Sequence, residues 1–179
     1  MSGGQTGADR AALDWAIAHE LPHGGWCPRG RKAEDGTIPS RYRLNETPGV
    51  AYVQRTEWNV RDSDGTVILS LARRLTGGSS KTMELAQQRG KPWIHLAQDA
   101  HAADAGDRLR RFVEAHGIRV LNVAGPRAST EPLIGTFVRA ICGFWPTTVR
   151  TWCSATKGFT VNRQFGLRRK WWVLLFAEV

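Results

Sequence analysis

A chain of 179 residues, 41% hydrophobic and 23% charged, has the composition of an ordinary globular protein with enough length for a proper core, and it shows no repeat or low-complexity run, which excludes disorder and fibrous classes. No stretch approaches the ~20 apolar residues of a membrane helix, and the N-terminus lacks the basic and apolar regions of a signal peptide, so a cytoplasmic location is expected. The net charge of +9 favours anionic partners without choosing one, and Cys27, Cys142 and Cys153, widely spaced with no CxxC, suggest neither a disulfide framework nor a metal site.

In chain order, Ser2-Gly3-Gly4-Gln5-Thr6-Gly7-Ala8-Asp9-Arg10 runs from a glycine-rich turn into a helix expected over Asp9 to His19, with Leu13 and Ile17 inward and Pro22 ending it. A helix that starts out of such a turn offers unpaired N–H groups and the positive end of its dipole to an anion. Gln5 and Thr6 add side-chain donors, and Asp9 suits the dipole or a ribose hydroxyl. The plain alternative is a capped turn, and the run is neither a P-loop nor GxGxxG. A Rossmann-like unit places a buried strand before this turn, where only Met1 and Ser2 stand. The first strand is therefore expected to be missing, through a misplaced start or a truncated reading frame.

Residues 23 to 49 read as a long loop with room for one short strand, in which Trp26 with Arg29, Arg31 and Lys32 could set an aromatic face and cations beside the first turn. A helix is expected over Tyr52 to Arg61, ending in the turn Asp62-Ser63-Asp64-Gly65, followed by a central strand, Thr66 to Ser70. Leu75-Thr76-Gly77-Gly78-Ser79-Ser80-Lys81-Thr82 then opens a helix from Met83 to Arg89, repeating the order strand, glycine turn, helix. Ligands of open α/β sheets sit outside the carboxyl ends of the strands, so both glycine turns can line one crevice. Strands at Trp93 to Ala97 and Ile118 to Ala124 alternate with helices at Ala103 to His116 and Thr130 to Cys142, which argues for a parallel sheet.

The expected division is a Rossmann-like ligand-binding domain over 1–143 and an atypical basic, Trp-rich tail over 144–179. The tail holds four of the eight Trp and five of the nine net charges, and an aberrant or frame-shifted C-terminus is the reading preferred for it over an edge strand, a membrane-surface anchor or a nucleic-acid contact.

The glycine turn, together with His23 to Pro28, Ala33-Glu34-Asp35-Gly36, Glu57 to Thr66 and Leu75-Thr76-Gly77-Gly78, resembles the molybdenum cofactor carrier family, the circularly permuted YpsA-like branch of the SLOG superfamily, over roughly residues 2 to 140. The resemblance implies a Rossmann-like fold with a pocket for a nucleotide-derived compound or the molybdenum cofactor, and a binding or carrier role more than an enzymatic one. The candidate ligand residues are Gly3, Gly4, Gln5, Thr6, Gly7, Asp9, Trp58, Asn59, Arg61, Asp62, Gly77, Gly78, Ser79 and Thr82. Trp58 would stack on a ring, Arg61 would neutralise phosphate, and Asn59 or Asp62 would read hydroxyls or ring nitrogens. Gly77-Gly78 with Thr82 and Glu84 also looks like the pattern of the phosphoribohydrolases of the same superfamily; there Glu84 would activate water and Arg61 would hold the phosphate during cleavage of an N-glycosidic bond. Related binders are often oligomers, so a homo-oligomer is an expectation, whereas nucleic-acid binding has the weakest support.

Overall fold

The computed structural model of the chain describes residues 1–144, and the Trp-rich tail beyond Phe144, with Cys153, lies outside the described residues. Its centre is β5 (Gly65–Ser70), in which every residue is buried. Thr-Val-Ile-Leu is a β-branched and apolar run suited to a strand covered on both faces. It lies between β6 (Trp93–Ala97) and β7 (Leu121–Ala124) and pairs with both in parallel, Ile68 standing opposite His95 on one side and Ala124 on the other.

Val67 and Leu69 enter the main core with Leu96 and Val123. That core is closed by the apolar stripes of α1 (Ala8–Ala18), α5 (Ala105–Ala115) and α6 (Ile134–Cys142), including Ala11, Leu109, Phe112, Phe137 and Ile141. Thr66, Ile68 and Ser70 alternate to the other face. Near it α2 (Tyr52–Arg61) and α3 (Gly77–Gln88) form a smaller cluster of Val60, Leu85 and Ala86 against Trp93. The helix expected from Ala103 is preceded by a separate single turn, α4 (Gln98–His101), and α3 begins at Gly77, so its glycines are the first turn of the helix and not a loop ahead of it.

The segment read as a loop contains two small pairings, β1 (Trp26–Cys27) parallel to β4 (Asn45–Glu46) and β2 (Lys32–Ala33) antiparallel to β3 (Gly36–Thr37). They enclose a second core of Leu13, Cys27, Ala33, Ile38, Tyr42 and Leu44. Arg31 organises this segment: its guanidinium donates to the carbonyls of Ile38, Pro39, Tyr42 and Leu44 at 2.9–3.1 Å. That cation is spent on backbone carbonyls.

No strand is formed ahead of the first turn, yet Met1 and Ser2 occupy the place of one. The Val123 N–H donates to the Met1 carbonyl at 2.9 Å, the Ser2 hydroxyl donates to the Val123 carbonyl at 2.8 Å, and the Ser2 N–H donates to the Gly24 carbonyl at 3.0 Å. These two residues join β7 to the segment that carries β1. Gly25, at φ 141°, allows this approach, since a Cβ there would stand 2.1 Å from the Ser2 oxygen.

β1 is tied to α2 by one buried side chain. Asn59 accepts the Trp26 N–H through Oδ1 and donates to the Trp26 carbonyl through Nδ2, both at 2.9 Å. It pairs with the strand as a neighbouring backbone would. Asn59→Ala strips both partners and is expected to lower unfolding stability by about 2–3 kcal/mol, the cost of leaving a buried N–H and C=O unmet, as read by urea denaturation followed by tryptophan fluorescence.

Candidate functional site

The carboxyl ends of β5 and β7, at Ser70 and Ala124, open into a cavity of about 430 Å³. Parallel strands place ligands at such ends because loops and helix N-termini converge there. One wall is the start of α3, where Gly77, Gly78, Ser79, Lys81 and Thr82 line the space. Thr76 precedes the helix in an extended conformation, and no side chain caps it. Ser79 and Ser80 donate their N–H groups to the Thr76 carbonyl, while those of Gly77 and Gly78 have no acceptor among the described residues. This first turn is therefore an open set of donors at the positive end of a twelve-residue helix.

The opposite wall comes from Tyr52, Arg55 and Thr56 of α2, and the rim from Arg74, Arg127, Ser129 and Glu131. Arg74, Lys81, Arg127 and Arg55 bring four cations to the space, against the carboxylates of Asp9 and Glu131. Both carboxylates are engaged: Glu131 accepts the Leu71 N–H at 2.6 Å, and Asp9 accepts the Gln5 N–H at 3.2 Å and Arg55 Nη1 at 3.0 Å. Burial raises the Asp9 carboxyl above its ordinary range, and Arg55 with the hydrogen bonds only partly offsets this. Two buried donors at the inner end, Gln5 Nε2 and Arg55 Nε, have no acceptor among the described residues. Buried donors are rarely left so, and a ligand acceptor would complete them.

The first glycine turn is built differently. The Gln5 N–H is taken by Asp9, the Thr6 N–H by the Gln5 carboxamide oxygen at 3.0 Å and the Ala8 N–H by the Pro126 carbonyl at 3.1 Å. Gly4 and Gly7 have φ of +73° and +78°; a Cβ on the first would enter Ile38 and Leu44, and one on the second would strike the backbone of 126–128. This turn offers the cavity the Gln5 and Asp9 side chains, while Thr6 donates instead to the Glu34 carboxylate. Gly3 packs under the Arg55 guanidinium and, with Asn59, lines a small polar recess that shares Asp9, Arg55, Thr56 and Thr82 with the main cavity.

Trp58, Arg61 and Asp62 lie elsewhere. The Arg61 guanidinium stands 4.5 Å from the Trp58 ring centre and bonds Asp62, which also accepts the Trp26 indole N–H at 2.7 Å; Trp26 meets Trp58 edge to face. None of the three is among the residues around the cavity. Glu84 also stands outside it, paired with Lys81 at 3.0 Å. Tyr52, Arg55 and Thr56 were not singled out from the sequence, although a signal was present: they fall seven, four and three residues before Asn59, on one helical face, whereas Trp58 and Arg61 do not follow that stripe and Asp62 lies past the last helical residue. Ser70 and the segment 124–131 carry no motif and become visible only through the sheet order.

Over residues 1–143 the sequence matches the model of the circularly permutated YpsA SLOG family. The chain belongs to that family. Among solved structures it is similar to the one named "Putative molybdenum carrier protein" from Syntrophus aciditrophicus SB, with 48% identity, a TM-score of 0.78, and coverage of 80% of this chain and 91% of that one. No curated protein sequence matches it. The family's α/β fold, a parallel sheet flanked by helices, is the architecture described above, and no helix among the described residues is long and apolar enough to cross a membrane.

The Asp9 shift gives a pH test with a definite sign. A carboxyl whose native pKa exceeds its unfolded value of 3.8 contributes stability that is present below that value and is lost as pH rises through the native pKa. The stability of the native chain relative to Asp9→Asn, from denaturant curves between pH 3 and 7, is expected to be greatest at the acid end and to decline toward neutrality. A flat difference would mean that Asp9 titrates normally.

Proposed function

We propose that this cavity binds a phosphate-bearing small molecule, a nucleotide-derived compound or a molybdenum cofactor, and that the protein acts through binding or carriage. The observation that carries the reading is the start of α3: two N–H groups with no acceptor among the described residues, at the positive end of a twelve-residue helix, with Lys81 and Arg74 beside them. Phosphate oxygens satisfy such groups, and the dipole adds to the attraction. A volume of about 430 Å³ falls in the range of small-molecule sites and exceeds what a lone inorganic anion fills. Gln5 and Arg55 at the inner end call for further acceptors, such as ring or sugar oxygens. The carrier role is favoured by the name of the Syntrophus protein, and a molybdenum oxyanion would be held by the same donors that hold phosphate.

Gly78 offers a clean test. It lines the cavity, its backbone is ordinary, and a Cβ there meets nothing within 4 Å, so Gly78→Leu fills the donor cradle without disturbing the core. Thermal-shift measurements on the full chain with phosphate, nucleotides, ADP-ribose, pterins and molybdate are expected to find a ligand that stabilises it by about 2.7 kcal/mol at a hundredfold excess over Kd. Gly78→Leu is expected to abolish that shift and Lys81→Ala to weaken binding by roughly tenfold or more. A shift that survives in Gly78→Leu places the ligand elsewhere and rejects the reading.

A further inference from the structure

Glu34 follows β2 on the short hairpin beside the cavity. Its carboxylate receives the Thr6 hydroxyl, the Ser129 hydroxyl at 2.5 Å and the Ser129 N–H at 3.3 Å, and Arg127 Nε lies 3.7 Å away. The Thr6 oxygen accepts the Ala128 N–H at 3.2 Å, which aims its own proton at Glu34. Two hydroxyls, a backbone N–H and a guanidinium converging on two oxygens form a donor set that suits any carboxylate or phosphoryl group. Arg127 and Ser129 also line the cavity. A charged group of the protein thus sits on donors that border the ligand space, and its side chain is only 19% exposed.

We propose that Glu34 is a tethered competitor: it occupies an oxyanion position on the cavity rim that a second anionic group of the ligand, phosphoryl or carboxylate, takes when the ligand binds. The location rests on the anion-binding reading of the same cavity given above. The occupant can leave without backbone movement, because Asp35 is fixed separately by Arg10 at 2.8 Å, Ala33 is buried in the second core, and only side-chain torsions of Glu34 need to turn. Burial works against ionisation of Glu34, but the hydrogen bonds from Ser129 and Thr6 and the nearby Arg127 outweigh it and hold the carboxyl below its ordinary range, so the competitor is charged at neutral pH.

The consequence is selectivity. An intramolecular carboxylate acts at an effective concentration in the millimolar range or above, so a free monoanion at lower concentration does not displace it. A ligand already anchored at Gly77 and Gly78 brings its second anionic group at a comparable effective concentration and can exchange with Glu34. The favoured class is therefore a compound with two anionic groups, such as a diphosphate.

The test is a titration of the full chain with inorganic phosphate and with pyrophosphate, following the backbone N–H resonances of Ser129 and Gly78. In Glu34→Gln, which keeps the length and removes the charge, Ser129 is expected to respond at anion concentrations about tenfold lower than in the native chain, the size of effect expected when one charge-assisted hydrogen bond is released. Glu34→Asp, whose shorter arm loosens the same contacts, is expected to move in the same direction by a smaller factor. Equal midpoints at Ser129 in all three proteins, or no response there in Glu34→Gln, overturn the inference. A response at Gly78 alone leaves the helix site standing and removes the rim position. A response at Ser129 in Glu34→Gln with none at Gly78 sustains the rim position and removes the helix site.

Discussion

The site depends on one buried ion pair. Asp9 lies in the first turn of α1, Arg55 near the start of α2, and their contact joins the first glycine turn to the helix on the far side of the inner recess. Desolvating both groups is expensive, and Coulomb attraction repays it only with good geometry and added hydrogen bonds. Gln5 supplies one through its backbone, while Arg55 Nε has no partner among the described residues. The pair is thus poorly optimised for stability alone. Its arrangement is intelligible if a ligand acceptor completes the guanidinium, so that binding supplies what folding leaves out.

Around this pair the parallel sheet does the placing. Because β5 is flanked by β6 and β7 in parallel, the chain after β5 and the chain after β7 leave on the same edge, and their first residues, 70–79 and 124–131, face each other. Met1 and Ser2 bring the first glycine turn to that same edge by bonding to β7. Four cations gather there from segments far apart in sequence, which overall net charge could not have revealed.

Much of the fold was legible because periodicity survives wherever a face is buried. Thr66 to Ser70 and Trp93 to Ala97 coincide with strands or lie within them, and the stripe of Ile134, Phe137, Val138 and Ile141 is the buried face of α6. The pairings within 26–46 were not legible, since strands of two residues have no period and Arg31 replaces a hydrophobic pattern as their organiser. The site was legible in halves. Gln5, Asp9, Gly77, Gly78, Ser79 and Thr82 meet in one cavity, while Trp58 and Arg61 share a motif with Asn59 in sequence but sit off its helical face, and Asp62 lies past the end of the helix. Proximity along the chain stood in for proximity in space, and a helix separates the two within a single turn.

The two glycine turns show why like sequences need not do like work. In Gly3 to Gly7 the glycines answer to packing: positive φ and contacts with Leu44, Ile38 and the backbone of 126–128 leave no room for a side chain, and the N–H groups of Gln5, Thr6 and Ala8 are spent inside the protein. In Gly77-Gly78 nothing crowds either position and the N–H groups have no acceptor among the described residues, but Gly77 stands at φ +52°, where a side chain is strained, whereas Gly78 has ordinary backbone. Glycine is required in the first turn for the fold to close. In the second the backbone calls for it at Gly77, while at Gly78 it is only permitted by the fold, and what a side chain at Gly78 would obstruct is the approach of something from the cavity. Gly78 is the more informative position, because neither its backbone nor its packing requires glycine.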